Sequence, residues 1–240
     1  DLIVWPENSM TTFYNDLVNS YFKPLVKEAQ AHHTDLIIGA PVMDKDGVRY
    51  YSSLISLGDK TIIYNKRHLV PFGEFIPMKN LLRGLIGFFD LPMSGFSPGN
   101  KHQQPLRAAG QLLAPSICYE DAFPEELIGF LPQATLLVNG SNNAWYGDSF
   151  APHQHLQISR MGSIETGRDL LRATTNGISA IVDNKGRIIK RSPQFKTVVI
   201  TALVQPRTGA TPYVRFGNTP VIIILVLMLF AAGLAGKPSY

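Results

Sequence analysis

Three short stretches of the 240-residue chain carry side chains suited to nucleophilic acyl chemistry. Trp-Pro-Glu follows a strand-like run at the start of the sequence and places Glu7 at a strand end. Lys66 lies in Asn-Lys-Arg-His-Leu, and the single cysteine, Cys118, directly precedes Tyr-Glu-Asp. Because sites in α/β proteins gather at the carboxyl ends of strands, we expect these three side chains to converge.

A carboxylate, an ammonium and a thiol complement one another chemically. A thiol with an ordinary pKa of ~8.5 is mostly protonated at neutral pH and needs a base or a nearby cation to react. Glu7 could be that base, and Lys66 could stabilise a thiolate and then an oxyanion. Taken singly, Glu7 could cap a helix, Lys66 could be a solvated charge and Cys118 a core residue. Together the three favour a catalytic triad.

The hydrophobic pattern alternates strands with helices and short hairpins, which predicts an α/β layered domain. Pro24 is expected to kink or split the first helix. The predicted helices cover residues 13–33, 124–131 and 152–174. The predicted strands cover residues 2–5, 36–40, 50–57, 61–64, 112–118, 134–138, 178–183, 187–189 and 196–204.

Two apolar stretches suggest contact with lipid. Residues 220–235 carry no charge, and extending this run to 218–236 makes it long enough to predict a transmembrane helix after a catalytic domain over 1–217. The alternative is a buried core helix or strand. The segment 70–99 is long and rich in Pro, Gly and Phe, so its apolar part over 72–91 could be a lipid-facing arm or an inward-packed loop.

Composition narrows the possible partners. The formal net charge is +4, without a dense Lys/Arg block, so we expect no nucleic-acid partner. One cysteine allows no intrachain disulfide. No metal-ligand spacing is evident, so we expect neither metal nor cofactor, and His153 and His155 are interpreted as surface or structural residues. Since the chain begins without Met, we expect it to be a fragment whose upstream part is missing.

The amino-acid sequences of these stretches resemble those of the nitrilase, or carbon–nitrogen hydrolase, superfamily, and more narrowly those of its apolipoprotein N-acyltransferase branch. The resemblance runs from residue 2 to about residue 219. Asn143 departs from it, since Asp is expected there. The matching motifs are Trp-Pro-Glu at 5–7, Asn-Lys-Arg-His-Leu-Val-Pro-Phe-Gly-Glu at 65–74, Cys-Tyr-Glu-Asp at 118–121, Asn-Asn-Ala-Trp-Tyr-Gly at 142–147, His-Gln-His-Leu at 153–156, residues 172–177 and Thr-Gly-Ala-Thr-Pro-Tyr at 208–213.

The resemblance implies a four-layer α-β-β-α sandwich set between transmembrane helices, with the leading helices in the missing upstream part. It also implies a location in a bacterial inner membrane with the catalytic domain on the periplasmic side. A fatty acyl group would pass from a phospholipid to Cys118 as a thioester. It would then pass to the α-amino group of a diacylglyceryl-cysteine at the start of an apolipoprotein.

The same resemblance assigns supporting roles. Glu74 would orient Lys66, and the backbone N–H of Tyr119 would join Lys66 in holding the oxyanion. Glu120 could support this cluster or serve as a helix N-terminal charge. The remaining candidates are aromatic residues that could bind the acyl chain or simply pack in the core: Phe72, Phe75, Trp145 and Tyr146.

Two other functions remain open at this point. A nitrilase-type amidase acting on a small soluble amide would use the same triad with water as the acceptor. A membrane-anchored binding module without catalysis would be expected to lack a triad residue, and all three are present.

Overall fold

A computed structural model of the protein describes residues 1–75 and 95–235. One sheet has four strands in the order β1-β2-β3-β4. The first pair is parallel and the other two pairs are antiparallel. The strands are β1 (Leu2–Val4), β2 (Asp35–Met43), β3 (Tyr50–Leu57) and β4 (Ile62–Asn65).

The other sheet has six strands in the order β10-β9-β8-β7-β6-β5. Its central strands β6, β7 and β8 are parallel neighbours, so their carboxyl ends lie at one edge, where Cys118 follows β6. The strands are β5 (Leu106–Ala108), β6 (Gln111–Ile117), β7 (Leu136–Asn142), β8 (Leu170–Thr175), β9 (Ala180–Val182) and β10 (Ile188–Arg191).

Helices and helical turns connect and flank the strands. The helices are α1 (Tyr14–Leu17), α2 (Lys23–Ala31), α3 (Pro124–Leu127), α4 (Ala151–Thr166), α5 (Pro212–Phe216) and α6 (Thr219–Ala235). A π-helical segment, Val18–Phe22, joins α1 to α2, and 3₁₀ turns cover Cys118–Ala122, Ile128–Phe130 and Ala144–Tyr146.

The alternating side chains of β2 show how the layers pack. Ile37 points into a core shared by both sheets, which also contains Leu113 and Val138 of the six-stranded sheet. Leu36 and Ile38 point the other way, into a second core with Phe22 and the first helices. Both faces of β2 are therefore buried, which explains its nearly continuous apolar sequence.

The predicted α/β class is confirmed, and so is the hairpin between β3 and β4. The first helix is divided as predicted, because Pro24 lies in the first turn of α2, directly after the π-helical segment. Strand β2 runs past its predicted end at residue 40. Pro41 is tolerated because β1 pairs only with residues 35–37, so Pro41 needs no donor on that side.

The helix predicted over 152–174 is wrong beyond Thr166. Gly167 ends α4 in the left-handed conformation, with φ 67°, and its N–H bonds to the carbonyl of Ser163. The chain then enters β8, a strand paired on both sides. The predicted helix includes the apolar residues of β8, although glycine at this position is a common helix stop.

The strand predicted over 196–204 is also wrong. The structure assigns no strand to this segment, and its side chains Val199 and Leu203 are 91% and 96% exposed. A β-rich sequence forms a strand only where a neighbouring edge is available for pairing, and none pairs with it here. Conversely, the short edge strand β5 was not predicted from the sequence.

The transmembrane helix predicted over 218–236 is not confirmed. The structure has α6 in that region, with 17 residues, and no helix within residues 1–75 and 95–235 is long and apolar enough to cross a membrane. A helix of this length extends about 26 Å, slightly less than the ~30 Å hydrocarbon core of a bilayer. Most of the proposed lipid-facing arm over 72–91 lies outside the described residues.

Candidate active site

Three strand ends from the two sheets bring the predicted triad together. Glu7 follows β1, Lys66 follows β4 and Cys118 follows β6. The turn that carries Glu7 lies directly on β2, where a Cβ atom on Gly39 would come within 2.7 Å of the Glu7 Cα. Gly39 is therefore needed for close approach of the backbones, and it lets Glu7 reach the space between the sheets.

The Glu7 carboxylate is buried and fixed through both oxygens. Its Oε1 accepts hydrogen bonds from Lys66 Nζ at 3.0 Å and from Ser52 Oγ at 3.2 Å. Its Oε2 accepts one from the backbone N–H of Asn142 at 2.9 Å, at the end of β7. Donors from both sheets thus orient this carboxylate.

Lys66 is 1% exposed and bonds to two carboxylates. Besides Glu7, its Nζ donates to Glu74 Oε1 at 2.7 Å, and Glu74 Oε2 accepts from the backbone N–H of Val70 at 2.8 Å. Burial alone would lower the pKa of Lys66, but the negative charges of Glu7, Cys118 and Glu74 outweigh it and raise this pKa. Lys66 is therefore held as an ammonium at neutral pH.

Cys118 is buried at the turn between β6 and the 3₁₀ segment, and its φ of 52° lies in the left-handed region. Burial and, after it, the negative charge of Glu7 raise the pKa of its thiol to about 12, and the positive charge of Lys66 opposes this rise. The thiol therefore lies within electrostatic reach of both groups. At neutral pH the resting cysteine is therefore a protonated thiol, and a base is required to activate it.

Glu120 lies beneath the site and connects two of its segments. Its carboxylate accepts from the backbone N–H groups of Arg67, His68 and Ile117 at 2.6, 3.0 and 2.8 Å, and from Tyr64 Oη at 3.0 Å. Burial raises its pKa, against the effect of these hydrogen bonds. It holds the segment after Lys66 against the turn at Cys118, so it has more contacts than a helix N-terminal charge requires.

The predicted aromatic residues lie at different depths. Burial and then the charge of Cys118 raise the pKa of Tyr146, so its hydroxyl lies within electrostatic reach of the sulfur. Trp145 and Phe72 are 67% and 62% exposed, and Phe75 is half-buried. The Tyr119 ring packs against Phe123 and His68, at centroid distances of 5.0 and 5.4 Å, so only its backbone is available for the proposed role.

Sequence reasoning missed a buried polar group on the other side of Cys118, which we call the rear cluster: Asp121, Asn139, His155, Ser159 and Arg172. Asp121 and the His-Gln-His-Leu motif were noticed in the sequence, but His155 was interpreted only as a surface or structural residue. The signal that could have found this cluster is the number of polar residues at positions that a strand or helix must bury.

Within the described ranges, no group of three or more His, Cys, Asp or Glu side chains could hold a metal ion. The absence of a metal or cofactor stays a prediction. A surface groove of about 630 Å³ lies along α4, lined by Phe150, His153, Gln154, Gln157 and Ile158. No triad residue lines this groove, so we do not assign the chemistry to it.

Comparison with known proteins gives a consistent family. The family model described as carbon-nitrogen hydrolase matches residues 1–213. A Methylococcus capsulatus protein named apolipoprotein N-acyltransferase is 45% identical over 221 residues, which are 92% of this chain and 44% of that protein. A Nitrosomonas europaea protein of the same name is 46% identical over 235 residues, 98% of this chain and 47% of that protein. The chain thus spans less than half the length of these relatives.

Two solved structures share the fold at low sequence identity. XC1258 from Xanthomonas campestris, a CN-hydrolase superfamily protein with an arsenic adduct in its active site, has a TM-score of 0.62 at 15% identity. The alignment covers 100% of this chain and 86% of that one. A carbon-nitrogen hydrolase from Helicobacter pylori G27 has a TM-score of 0.57 at 17% identity, over 80% of this chain and 73% of that one.

Proposed function

The chain belongs to the carbon-nitrogen hydrolase family, and from this premise we propose that it is the catalytic part of an apolipoprotein N-acyltransferase. The Methylococcus capsulatus and Nitrosomonas europaea proteins that carry this name match 92% and 98% of the chain at 45% and 46% identity. The single observation that carries the proposal is the buried ion pair between Glu7 and Lys66, 3.0 Å apart, whose two charges both act on the buried thiol of Cys118.

The first half of the proposed reaction forms a thioester. Glu7 takes the proton from Cys118, and the thiolate attacks the carbonyl carbon of a phospholipid acyl ester. Lys66 and the backbone N–H of Tyr119 stabilise the resulting oxyanion. When this intermediate collapses, the ester C–O bond breaks, Glu7 returns the proton to the departing lysophospholipid oxygen, and the acyl group remains on the sulfur.

The second half transfers the acyl group to an amine. The α-amino group of a diacylglyceryl-cysteine at an apolipoprotein N-terminus attacks the thioester, and Glu7 accepts a proton from the nitrogen. The C–S bond breaks, an amide forms, and the proton returns to the sulfur. No step requires an oxidant, a metal or an organic cofactor.

The charges beside the sulfur support proton transfer to Glu7. Two carboxylates, Glu7 and Glu74, bond to the single ammonium of Lys66, so this group carries one net negative charge. Moving the proton from Cys118 to Glu7 exchanges one anion for another without changing the total. The buried site therefore avoids the cost of creating a new charge pair in a low dielectric.

Supporting roles follow from the contacts. Glu74 orients Lys66, since it bonds to the ammonium with one oxygen and to the N–H of Val70 with the other. Glu120 fixes the backbone around Arg67 relative to Cys118. The aromatic residues Phe72, Phe75, Trp145 and Tyr146 form the rim along which the acyl chain approaches.

We further propose that the protein acts at a bacterial inner membrane, with the catalytic domain (1–217) on the periplasmic side and its layers arranged α-β-β-α. Helix α6 supports contact with lipid, because its apolar side chains from Val221 to Phe230 are all more than half exposed. A phospholipid donor and a diacylglyceryl apolipoprotein acceptor would both be presented at this membrane.

A two-substrate assay tests the proposed function. The protein in detergent is mixed with a phospholipid that carries a labelled acyl chain and with a synthetic diacylglyceryl-cysteine peptide. We expect label on the peptide α-amino group, parallel double-reciprocal plots from the covalent intermediate, and no product with Cys118→Ala. Hydrolysis of small amides by the same cysteine, without transfer to the peptide, would instead favour an amidase.

A further inference from the structure

The backbone carbonyl of Cys118 accepts hydrogen bonds from two buried side chains. Asn139 Nδ2 lies 3.1 Å from this oxygen, and His155 Nε2 lies 3.2 Å from it. Asn139 comes from β7 and His155 from α4, so two separate elements hold this one carbonyl. Neither side chain bonds to a triad side chain.

Both donors are fixed by the rest of the rear cluster. Arg172 Nη1 donates to Asn139 Oδ1 at 2.6 Å, to Ser159 Oγ at 2.7 Å and to Asp121 Oδ2 at 3.1 Å. Asp121 Oδ1 lies 3.1 Å from His155 Nε2. Asp121 and Arg172 pair within the cluster, so it adds no net charge and acts as a rigid support.

The hydrogen on His155 can be assigned from its partners. The side-chain amide of Asn143 lies 3.1 Å from His155 Nδ1, so this nitrogen faces away from Cys118. Nε2 faces two acceptors, the Cys118 carbonyl and Asp121 Oδ1. Because both of these groups accept hydrogen bonds, Nε2 is the nitrogen that carries the hydrogen and donates to the cysteine backbone.

Holding this carbonyl also sets the direction of the next N–H. A peptide unit is planar and trans, so the N–H of Tyr119 must point opposite to the C=O of Cys118. Tyr119 lies in the first turn of the 3₁₀ segment, where N–H groups have no acceptor within the turn. With the carbonyl bound to the rear cluster, the N–H of Tyr119 is directed away from that cluster.

The backbone at Cys118 needs such support. Its φ of 52° is in the left-handed region, which is sterically unfavourable for a residue with a Cβ atom. Without the two donors, the peptide plane after Cys118 would be free to rotate towards a more common conformation, and the N–H of Tyr119 would turn with it.

We infer that His155 and Asn139 are positioning residues that hold the Cys118–Tyr119 peptide so that the Tyr119 N–H serves as an oxyanion donor. This inference deepens the proposed function and rests on its acyl-enzyme chemistry, but not on the identity of the lipid or of the acceptor. Neither residue touches the substrate. Their effect should appear in acylation of the thiol and not in the intrinsic reactivity of the sulfur.

Two amide variants of His155 distinguish the effect of side-chain length from the effect of side-chain polarity. The amide of His155→Gln extends about as far as the imidazole Nε2 and can donate to the Cys118 carbonyl. The amide of His155→Asn is one methylene shorter, keeps the contact with Asn143 and falls short of the carbonyl. Asn139→Ser removes the other donor independently, and His153→Gln on the exposed face of the same helix is the matched control.

The probe is p-nitrophenyl butyrate, an activated ester that acylates Cys118 irrespective of lipid specificity. We expect His155→Asn and Asn139→Ser to acylate about 10- to 100-fold more slowly than the unaltered protein, with His155→Gln restored to within about threefold. Alkylation of Cys118 by iodoacetamide forms no oxyanion, so its rate should change by less than about threefold in every variant. Circular dichroism confirms folding at the assay temperature.

Acylation by His155→Asn at the rate of His155→Gln would overturn the inference, and so would a parallel loss of acylation and alkylation, which indicates a purely structural role. Failure of the proposed function has a different signature. In that case the unaltered protein reacts with p-nitrophenyl butyrate at Cys118 but transfers nothing from phospholipid to the diacylglyceryl peptide.

Discussion

Two polar clusters flank Cys118, and their residue types are similar although their arrangements differ. On one side Glu7, Lys66 and Glu74 form what we call the front cluster, with one ammonium between two carboxylates. On the other side, the rear cluster pairs Asp121 with Arg172 and turns its donors towards the cysteine carbonyl. The front cluster acts on the sulfur, and the rear cluster acts on the backbone that carries it.

The difference between the two clusters shows that buried charges in one fold can have separate roles, either in controlling the thiol proton or in supporting the backbone. The charges of Glu7 and Lys66 shift the pKa of Cys118 in opposite directions, so the front cluster controls the proton. The charges of Asp121 and Arg172 in the rear cluster also act on this pKa, but in opposite directions, and the groups that bond to the Cys118 carbonyl are an amide and an imidazole. Removing a front residue should therefore change thiol ionisation, whereas removing a rear donor should leave it nearly unchanged.

The largest effect is expected for Glu7→Gln, which removes the proposed base. Acyl transfer should fall by about 10⁴-fold, because both half-reactions use this carboxylate. Alkylation by iodoacetamide at fixed pH should become faster. The charge of Glu7 raises the pKa of the thiol, so its loss lowers this pKa and increases the thiolate fraction. Rates of both reactions from pH 7 to 10 provide the measurement.

The control for Glu7→Gln is Glu28→Gln, an exposed carboxylate on α2 that should alter neither rate. Unchanged acyl transfer by a folded Glu7→Gln protein would contradict the account, because both proposed half-reactions use this carboxylate as the base.

Lys66→Met should give the next largest effect, a decrease in acyl transfer of about 10³-fold through loss of an oxyanion donor. Here alkylation should become slower, since the ammonium lowers the pKa of the thiol and its removal raises it. The opposite signs for Glu7 and Lys66 are what the front cluster predicts.

Stability should also fall in Lys66→Met, because two buried carboxylates lose their partner, at a cost of about 3–5 kcal/mol. Lys60→Met, in the exposed turn between β3 and β4, is the matched control and should retain activity and melting temperature. Full turnover by a folded Lys66→Met protein would remove Lys66 from the mechanism.

A smaller effect is expected for Glu74→Gln. The amide can still accept from the N–H of Val70 but holds the ammonium less firmly, so kcat should decrease about tenfold through misplacement of Lys66. KM for the phospholipid should not change, which a steady-state comparison with the unaltered protein can measure. An increase in KM with unchanged kcat would assign Glu74 to substrate binding instead.

The smallest effect is expected at the rim, outside both clusters. Trp145→Ala should raise KM for a long-chain phospholipid about threefold and leave kcat unchanged, because Trp145 is exposed and bonds to no triad residue. Tyr21→Ala, at an exposed aromatic residue of the π-helical segment, is the control. A decrease in kcat without a change in KM would place Trp145 in the chemistry.

The two clusters also show what sequence reasoning could reach. Glu7, Lys66 and Cys118 each follow a strand in a distinctive local motif, and the structure brings all three together. The contact between Glu74 and Lys66 agrees with the orientation that the resemblance implied. Their catalytic roles stay predictions.

The rear cluster could not be assembled from the sequence, because Asn139, His155 and Arg172 come from β7, α4 and β8 and no local spacing relates them. The prediction of one helix over 152–174 leaves out β8, which is the strand that carries Arg172. The missed signal was Gly167, whose left-handed conformation separates α4 from β8. Residues 196–204 form no strand because no neighbouring strand edge pairs with them, and the hydrophobicity of a segment does not show whether such an edge is available.

The most direct test of the account is the mass of the Cys118 peptide after the protein is mixed with phospholipid in the absence of any acceptor. We predict that the peptide gains the mass of one acyl chain, that hydroxylamine removes it, and that Glu7→Gln leaves the peptide unmodified. Transfer of the acyl group to an added acceptor while Cys118 stays unmodified throughout, or equal acylation of Cys118 in Glu7→Gln, would contradict the central claim.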